Sequence, residues 1–109
     1  MRKCSISIKD KDYTIQVNRD SIVWLENGGF KVSDFEDKPL VTIELLWAAG
    51  FIMNHPEVNP SLALKLMDSY KEEGGDVSEV ARFVLEEYTS FMNALSDIKS
   101  KKKATITEI

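Results

Sequence analysis

Any chemistry in this chain would have to be assembled from few parts. It holds one histidine, His55, and one cysteine, Cys4, with adjacent carboxylates at Glu72-Glu73 and Glu86-Glu87 and glycine pairs at Gly28-Gly29 and Gly74-Gly75. A zinc site would need His55, Cys4 and carboxylates together, yet no CxxC, HxxxH or HExxH spacing occurs. His55 precedes Pro56 and reads as a histidine at a helix end. Cys4 and His55 would form a nucleophile and base only with a third group to orient them, and Cys4 falls in an N-terminal strand with no helix terminus beside it. Neighbouring carboxylates on a helix diverge by about 100°, so both glutamate pairs read as solvated faces. The glycine pairs lack GxGxxG or GxxxxGK context and follow amphipathic segments, so they are helix stops, not phosphate cradles. No catalytic, cofactor-binding or metal-ligating residue is assigned, and residue chemistry alone shows no active site.

These residues must be positioned by elements built around one apolar stretch, Leu40 to Asn54 (LVTIELLWAAGFIMN). Only Thr42, Glu44 and Asn54 in it are clearly polar, so a helix there is apolar nearly all round and belongs in a core or a covered interface. Its length of about 15 residues falls short of the roughly 20 needed to cross a bilayer, and Glu44 would sit unpaired in lipid. It is read as a central core helix, with Trp47 and Trp24 as core posts before they are interface anchors.

Upstream, Cys4 to Ile8 and Tyr13 to Val17 alternate apolar and polar about a Lys9–Asp12 turn, predicting a hairpin with Ile6, Ile8, Tyr13, Ile15 and Val17 on the covered face. A lone two-stranded hairpin is marginal in water, so helices must lie on it. Asn18 or Asp20 caps a short helix carrying Ile22, Val23 and Leu25, expected to pack back on the hairpin. Phe30 to Pro39 reads as a loop with one turn at Ser33-Asp34-Phe35-Glu36, and Asn54-His55-Pro56 ends the central helix. Asn59 and Pro60 open the next helix, whose stripe is Leu62, Leu66 and Tyr70 with Ala63 and Met67 alongside. Asp76 and Glu79 have capping-box spacing for the last helix. There Val77, Val80, Ala81, Val84, Tyr88, Phe91, Met92 and Leu95 recur at steps of three and four, carrying it to about Lys99.

The predicted fold class is therefore α+β: a short N-terminal antiparallel β-hairpin packed against a bundle of about four α-helices, the last one long. Residues 1–99 are read as a single domain and residues 100–109 as a mobile tail. A chain of 109 residues suits one domain. Its net charge of −4 and pI near 5.0 speak against a nucleic-acid surface. A single cysteine implies no internal disulfide, and the alternating N-terminus does not resemble a signal peptide, so the expectation is a soluble intracellular protein. The run Lys99 to Lys103 has three readings, of which cations complementing the negative end of the last helix is the most economical, the others being a weak nucleic-acid tail and a coding-level feature.

The order of parts resembles the tail assembly chaperones of long-tailed bacteriophages and of prophages in Gram-positive hosts. The resemblance lies in the hairpin with a tyrosine in its second strand (DYTIQV), the helix and stop IVWLENGG, the stretch LLWAAGFIMNHPEVNP, and a helix-rich acidic end. It implies a non-enzymatic protein of the host cytoplasm that keeps the tape measure protein soluble during tail assembly and is absent from the mature virion. It further implies the tail tube protein as a second partner, and a frameshifted longer form for which an adenine-coded Lys101-Lys102-Lys103 would be the slippery site. Partner-binding residues are expected on the last helix, at Phe91, Met92, Leu95 and Ile98, an adaptable apolar stripe between Glu86, Glu87, Asp97 and Lys99. The other reading of that stripe is closure of this domain's own core or of a homo-oligomer. Phe83 falls off the main stripe, and either covers the hairpin or joins the binding surface. The competing functions are a structural tail-completion or connector protein and a small acidic regulatory domain; no membrane, cofactor or nucleic-acid partner is expected.

Overall fold

The computed structural model describes residues 2–95 and residue 107. Strands β1 (Cys4–Ile8) and β2 (Lys11–Ile15) pair antiparallel with Cys4 opposite Ile15 and Ile8 opposite Lys11. Helices α1 (Arg19–Asn27), α2 (Asp34–Asp37), α3 (Pro39–Ala49), α4 (Pro60–Glu72) and α5 (Val77–Leu95) follow, giving the α+β architecture expected, with the last helix the longest.

The hairpin turns in two residues, not four. Lys9 and Asp10 both have positive φ, 51° and 65°, the backbone twist that closes a two-residue hairpin loop. Lys11 and Asp12 therefore enter the ladder, and β2 ends at Ile15 instead of Val17. The predicted face is intact: Ile6, Ile8, Tyr13, Ile15 and Val17 are all buried.

Helix α1 starts where its chemistry dictates. Asn18 Oδ1 accepts the Ser21 N–H at 3.0 Å while Ser21 Oγ accepts the Asn18 N–H at 3.2 Å, a reciprocal capping box. Its main neighbour is α3, not the hairpin. The turn expected near Asp34 exists as α2, and Pro39 occupies the first turn of α3. Asn59 Oδ1 caps α4 by accepting the Leu62 N–H at 2.8 Å, and Asp76 Oδ1 accepts the Glu79 N–H at 3.1 Å ahead of α5. The buried centre of α4 is Ala63 and Met67, with Leu66 and Tyr70 partly covered and Leu62 exposed at the rim.

Helix α3 is the pivot, but it ends at Ala49, five residues before the expected stop at Asn54. The Gly50 carbonyl leaves the helical ladder and accepts the Gln16 N–H at 3.2 Å, just beyond the end of β2. The chain then closes tighter turns, with Phe51 N–H on the Ala48 carbonyl and Ile52 N–H on the Ala49 carbonyl. A side chain at position 50 would not fit: a Cβ there would sit 2.5 Å from Ile15 Cγ2 and 3.2 Å from Val84 Cγ2. Trp47 is fully buried, and its indole N–H donates to the Ala63 carbonyl at 2.7 Å. Helix α5 covers the same core with Val77, Val80, Ala81 and Val84 and packs chiefly on α3. The predicted extension of α5 to Lys99, the lysine run Lys99 to Lys103 and the tail over 100–109 lie outside the described residues.

Gly50→Val, which drives an isopropyl group into Ile15 and Val84, is expected to lower stability by about 3 kcal/mol through overpacking. The measurement is the urea unfolding midpoint; an unshifted midpoint would remove the close approach at Gly50 as the reason α3 stops there.

Candidate functional site

The groups that could have carried chemistry have structural partners. His55 Nε2 accepts the Thr14 backbone N–H at 3.0 Å, so its lone pair is occupied at the outer edge of β2. Its ring also packs edge-on against Tyr13 at 5.1 Å, and its Nδ1 lies 3.6 Å from Glu57. Cys4 is half-covered among Phe83, Glu79 and Arg2, and burial first, then the Glu79 charge, pushes its thiol up from the ordinary value. Such a thiol is a poor nucleophile near neutral pH. Among the described residues no three His, Cys, Asp or Glu side chains form a group that could hold a metal ion.

The glutamate pairs do more than face solvent. Glu73 accepts the Lys9 backbone N–H at 2.9 Å and so clips the hairpin turn to the end of α4. Glu87 accepts the Arg2 backbone N–H at 2.9 Å, while the Arg2 guanidinium reaches Glu87 and Glu86, each at 3.2 Å. Nothing in the sequence pattern marks Arg2 for this clamp, because the contact joins residues 85 positions apart.

What the surface offers is apolar relief between helices. Between α1 and α5 lies a groove of about 380 Å³ lined by Ile22, Val23, Phe91, Met92 and Leu95, with Arg19 and Glu26 on its α1 side. Three of the expected binding residues, Phe91, Met92 and Leu95, therefore come together, and Leu95 is 69% exposed. Phe83 does not join them. It is partly buried beside Cys4, with the Arg2 guanidinium 5.2 Å from its ring centroid, and so covers the start of the hairpin. Ile98 lies outside the described residues.

A second groove, of about 220 Å³, was not anticipated from sequence. It lies between α1, α3 and α4 and is lined by Trp24, Val41, Leu45, Ala48, Pro60 and Leu64, with Glu44 as the charged residue of the lining. Leu40 and Val41 in the first turn of α3 are 63% and 53% exposed. The central helix is thus enclosed at its C-terminal half, where Leu46, Trp47 and Ala49 are buried, and open at its N-terminal half. Glu44 was the available signal. A lone carboxylate in an apolar helix must face water, and Leu40, Val41 and Ala48 share its side at spacings of three and four.

Among the described residues no helix is long and apolar enough to cross a membrane. The chain belongs to the DUF5055 family, described as a domain of unknown function, whose match spans residues 2–108. Comparison with curated proteins and with solved structures gives no match.

Because burial and Glu79 both raise the Cys4 thiol, its thiolate forms at higher pH than that of a free cysteine. The pH profile of iodoacetamide alkylation of the folded chain is expected to show its inflection above that of a cysteine model peptide. A profile matching the peptide would show that Phe83 and Glu79 do not screen this thiol.

Proposed function

We propose that this member of the DUF5055 family is a tail assembly chaperone of a phage or prophage, which binds an apolar helical face of the tape measure protein and keeps it soluble until the tail is built around it. The observation that carries this reading is the open groove at Trp24, Val41, Leu45 and Leu64, bordered by the exposed Leu40. A holdase for a long amphipathic helix needs a trough between helices that accepts apolar anchors at spacings of three, four and seven. It also needs charge around that trough to keep the complex dispersed, and Glu44 and the net charge of −4 supply it. The order of sequence motifs supports the same reading independently. On this reading the chain works in the cytoplasm of the bacterial host and does not remain in the finished particle.

The test is co-expression of the full chain with the neighbouring tape measure gene. A soluble complex is expected, and the double variant Val41→Glu with Leu64→Glu should cut the recovered soluble tape measure at least ~10-fold, since each buried apolar side chain contributes about 2 kcal/mol. Both positions are at the surface, so the variant should keep the wild-type unfolding midpoint. A tape measure that stays insoluble with this chain in excess would overturn the assignment. Mass spectrometry of purified particles separates the structural alternative, because a connector or completion protein persists there and a chaperone does not.

A further inference from the structure

We propose that the exposed face of α1, together with the neighbouring end of α5, is the contact by which two copies of this chain pair antiparallel about a two-fold axis. Arg19, Val23 and Glu26 lie at i, i+4 and i+7 and so share one side of α1, with the two charges about 10.5 Å apart along the axis. All three are exposed, Val23 by 45%, and all three line the groove shared with Phe91, Met92 and Leu95. Neither Arg19 nor Glu26 has an ion-pair partner among the described residues.

Both charges also oppose their own helix. Arg19 is the first residue of α1, where the helix dipole is positive, and Glu26 is in the last turn, where it is negative and no basic residue is present. An antiparallel second copy relieves both at once. With the two-fold axis passing between Ile22 and Val23, Arg19 faces Glu26 of the second copy and Glu26 faces its Arg19, while the exposed Val23 packs beside the other copy's Val23. A self-complementary patch of this kind is what an isologous interface requires. Phe91, Met92 and Leu95 flank the pair and extend its apolar area.

Sedimentation velocity on the full chain alone, from roughly 1 to 200 µM, tests this without any client. The wild type is expected to pass from monomer to dimer over that range, and Val23→Glu to remain monomeric. Arg19→Glu and Glu26→Arg should each weaken the dimer at least ~10-fold, and the double swap should restore it to within ~3-fold of wild type. Each single swap places a charge that suits the α1 dipole, so lost dimer with an unchanged thermal midpoint is not unfolding. A wild type that stays monomeric throughout, a Val23→Glu variant that still dimerises, or single swaps without rescue in the double variant would overturn the proposal. The variants at Val41 and Leu64 should dimerise normally, so failure of the chaperone reading and failure of this one are read separately.

Discussion

The structure depends on one close approach, that of Gly50 to the hairpin. Because position 50 has no side chain, the end of α3 comes against Ile15 and Val84, and its carbonyl accepts the Gln16 N–H. That contact seats Trp47 one turn earlier in the middle of the molecule. From there the indole packs edge-on on Phe51 at 5.3 Å, lies tilted against Tyr70 at 5.5 Å and donates to the Ala63 carbonyl. Phe51 continues the chain of rings to Tyr13 at 5.5 Å. Hairpin, α3 and α4 are thereby held through one connected set of aromatic contacts, with α5 laid over Gly50 and the covered side of α3. A donor as buried as the Trp47 N–H would be costly without its carbonyl partner, so α4 is fixed by chemistry as well as by shape.

A two-stranded sheet leaves two edges, and this one is managed at both. The outer edge of β2 is closed by the residues that follow Gly50: His55 accepts the Thr14 N–H, and the Asn54 side-chain amide reaches the Thr14 carbonyl at 3.4 Å and Gln16 Oε1 at 3.1 Å. Helix α4 borders β1, with Glu73 on the turn and the Arg2 clamp at the other end. The Arg2–Glu86 pair is exposed on both sides and contributes little to stability; the register itself is set by the two-residue turn and by the buried face of Ile6, Ile8, Tyr13 and Ile15. The single histidine, the first candidate for catalysis on composition alone, is explained as an edge cap.

Local physics made much of this legible. Period-two alternation identified the hairpin and its buried face, Asn18, Asn59 and Asp76 announced three helix starts, and glycine pairs marked two stops. What the sequence hid was tertiary. The end of α3 is set by a carbonyl diverted to Gln16 just beyond β2 and a contact with Ile15, and neither leaves a trace in hydrophobic pattern, which continues apolar through Met53. The packing of α1 on α3, the rotation of the α4 stripe towards Ala63 and Met67, and the separation of Phe83 from Phe91 and Met92 depend on which neighbour each face finds. Of the expected binding residues, Phe91, Met92 and Leu95 share a groove, Phe83 is occupied by Arg2 and the hairpin, and the groove at Val41 needed the structure to be seen.

That groove lies against the N-terminal half of α3, where α1 contributes Trp24 and α4 contributes Pro60 and Leu64, while Leu40 and Val41 in the first turn of α3 stay exposed. Thr42 is buried there with its hydroxyl donating to the Asp34 carbonyl at 3.3 Å, so one side of the turn is held by α2 while Leu40 and Val41 remain outside. A core-forming role alone would favour polar residues at those two positions, because side chains that stay in water gain nothing from being apolar. Glu44 shows that the same side tolerates charge. Leu40 and Val41 are thus apolar side chains that the fold leaves uncovered, beside the half-buried Glu44, at the groove on which the proposed chaperone role rests.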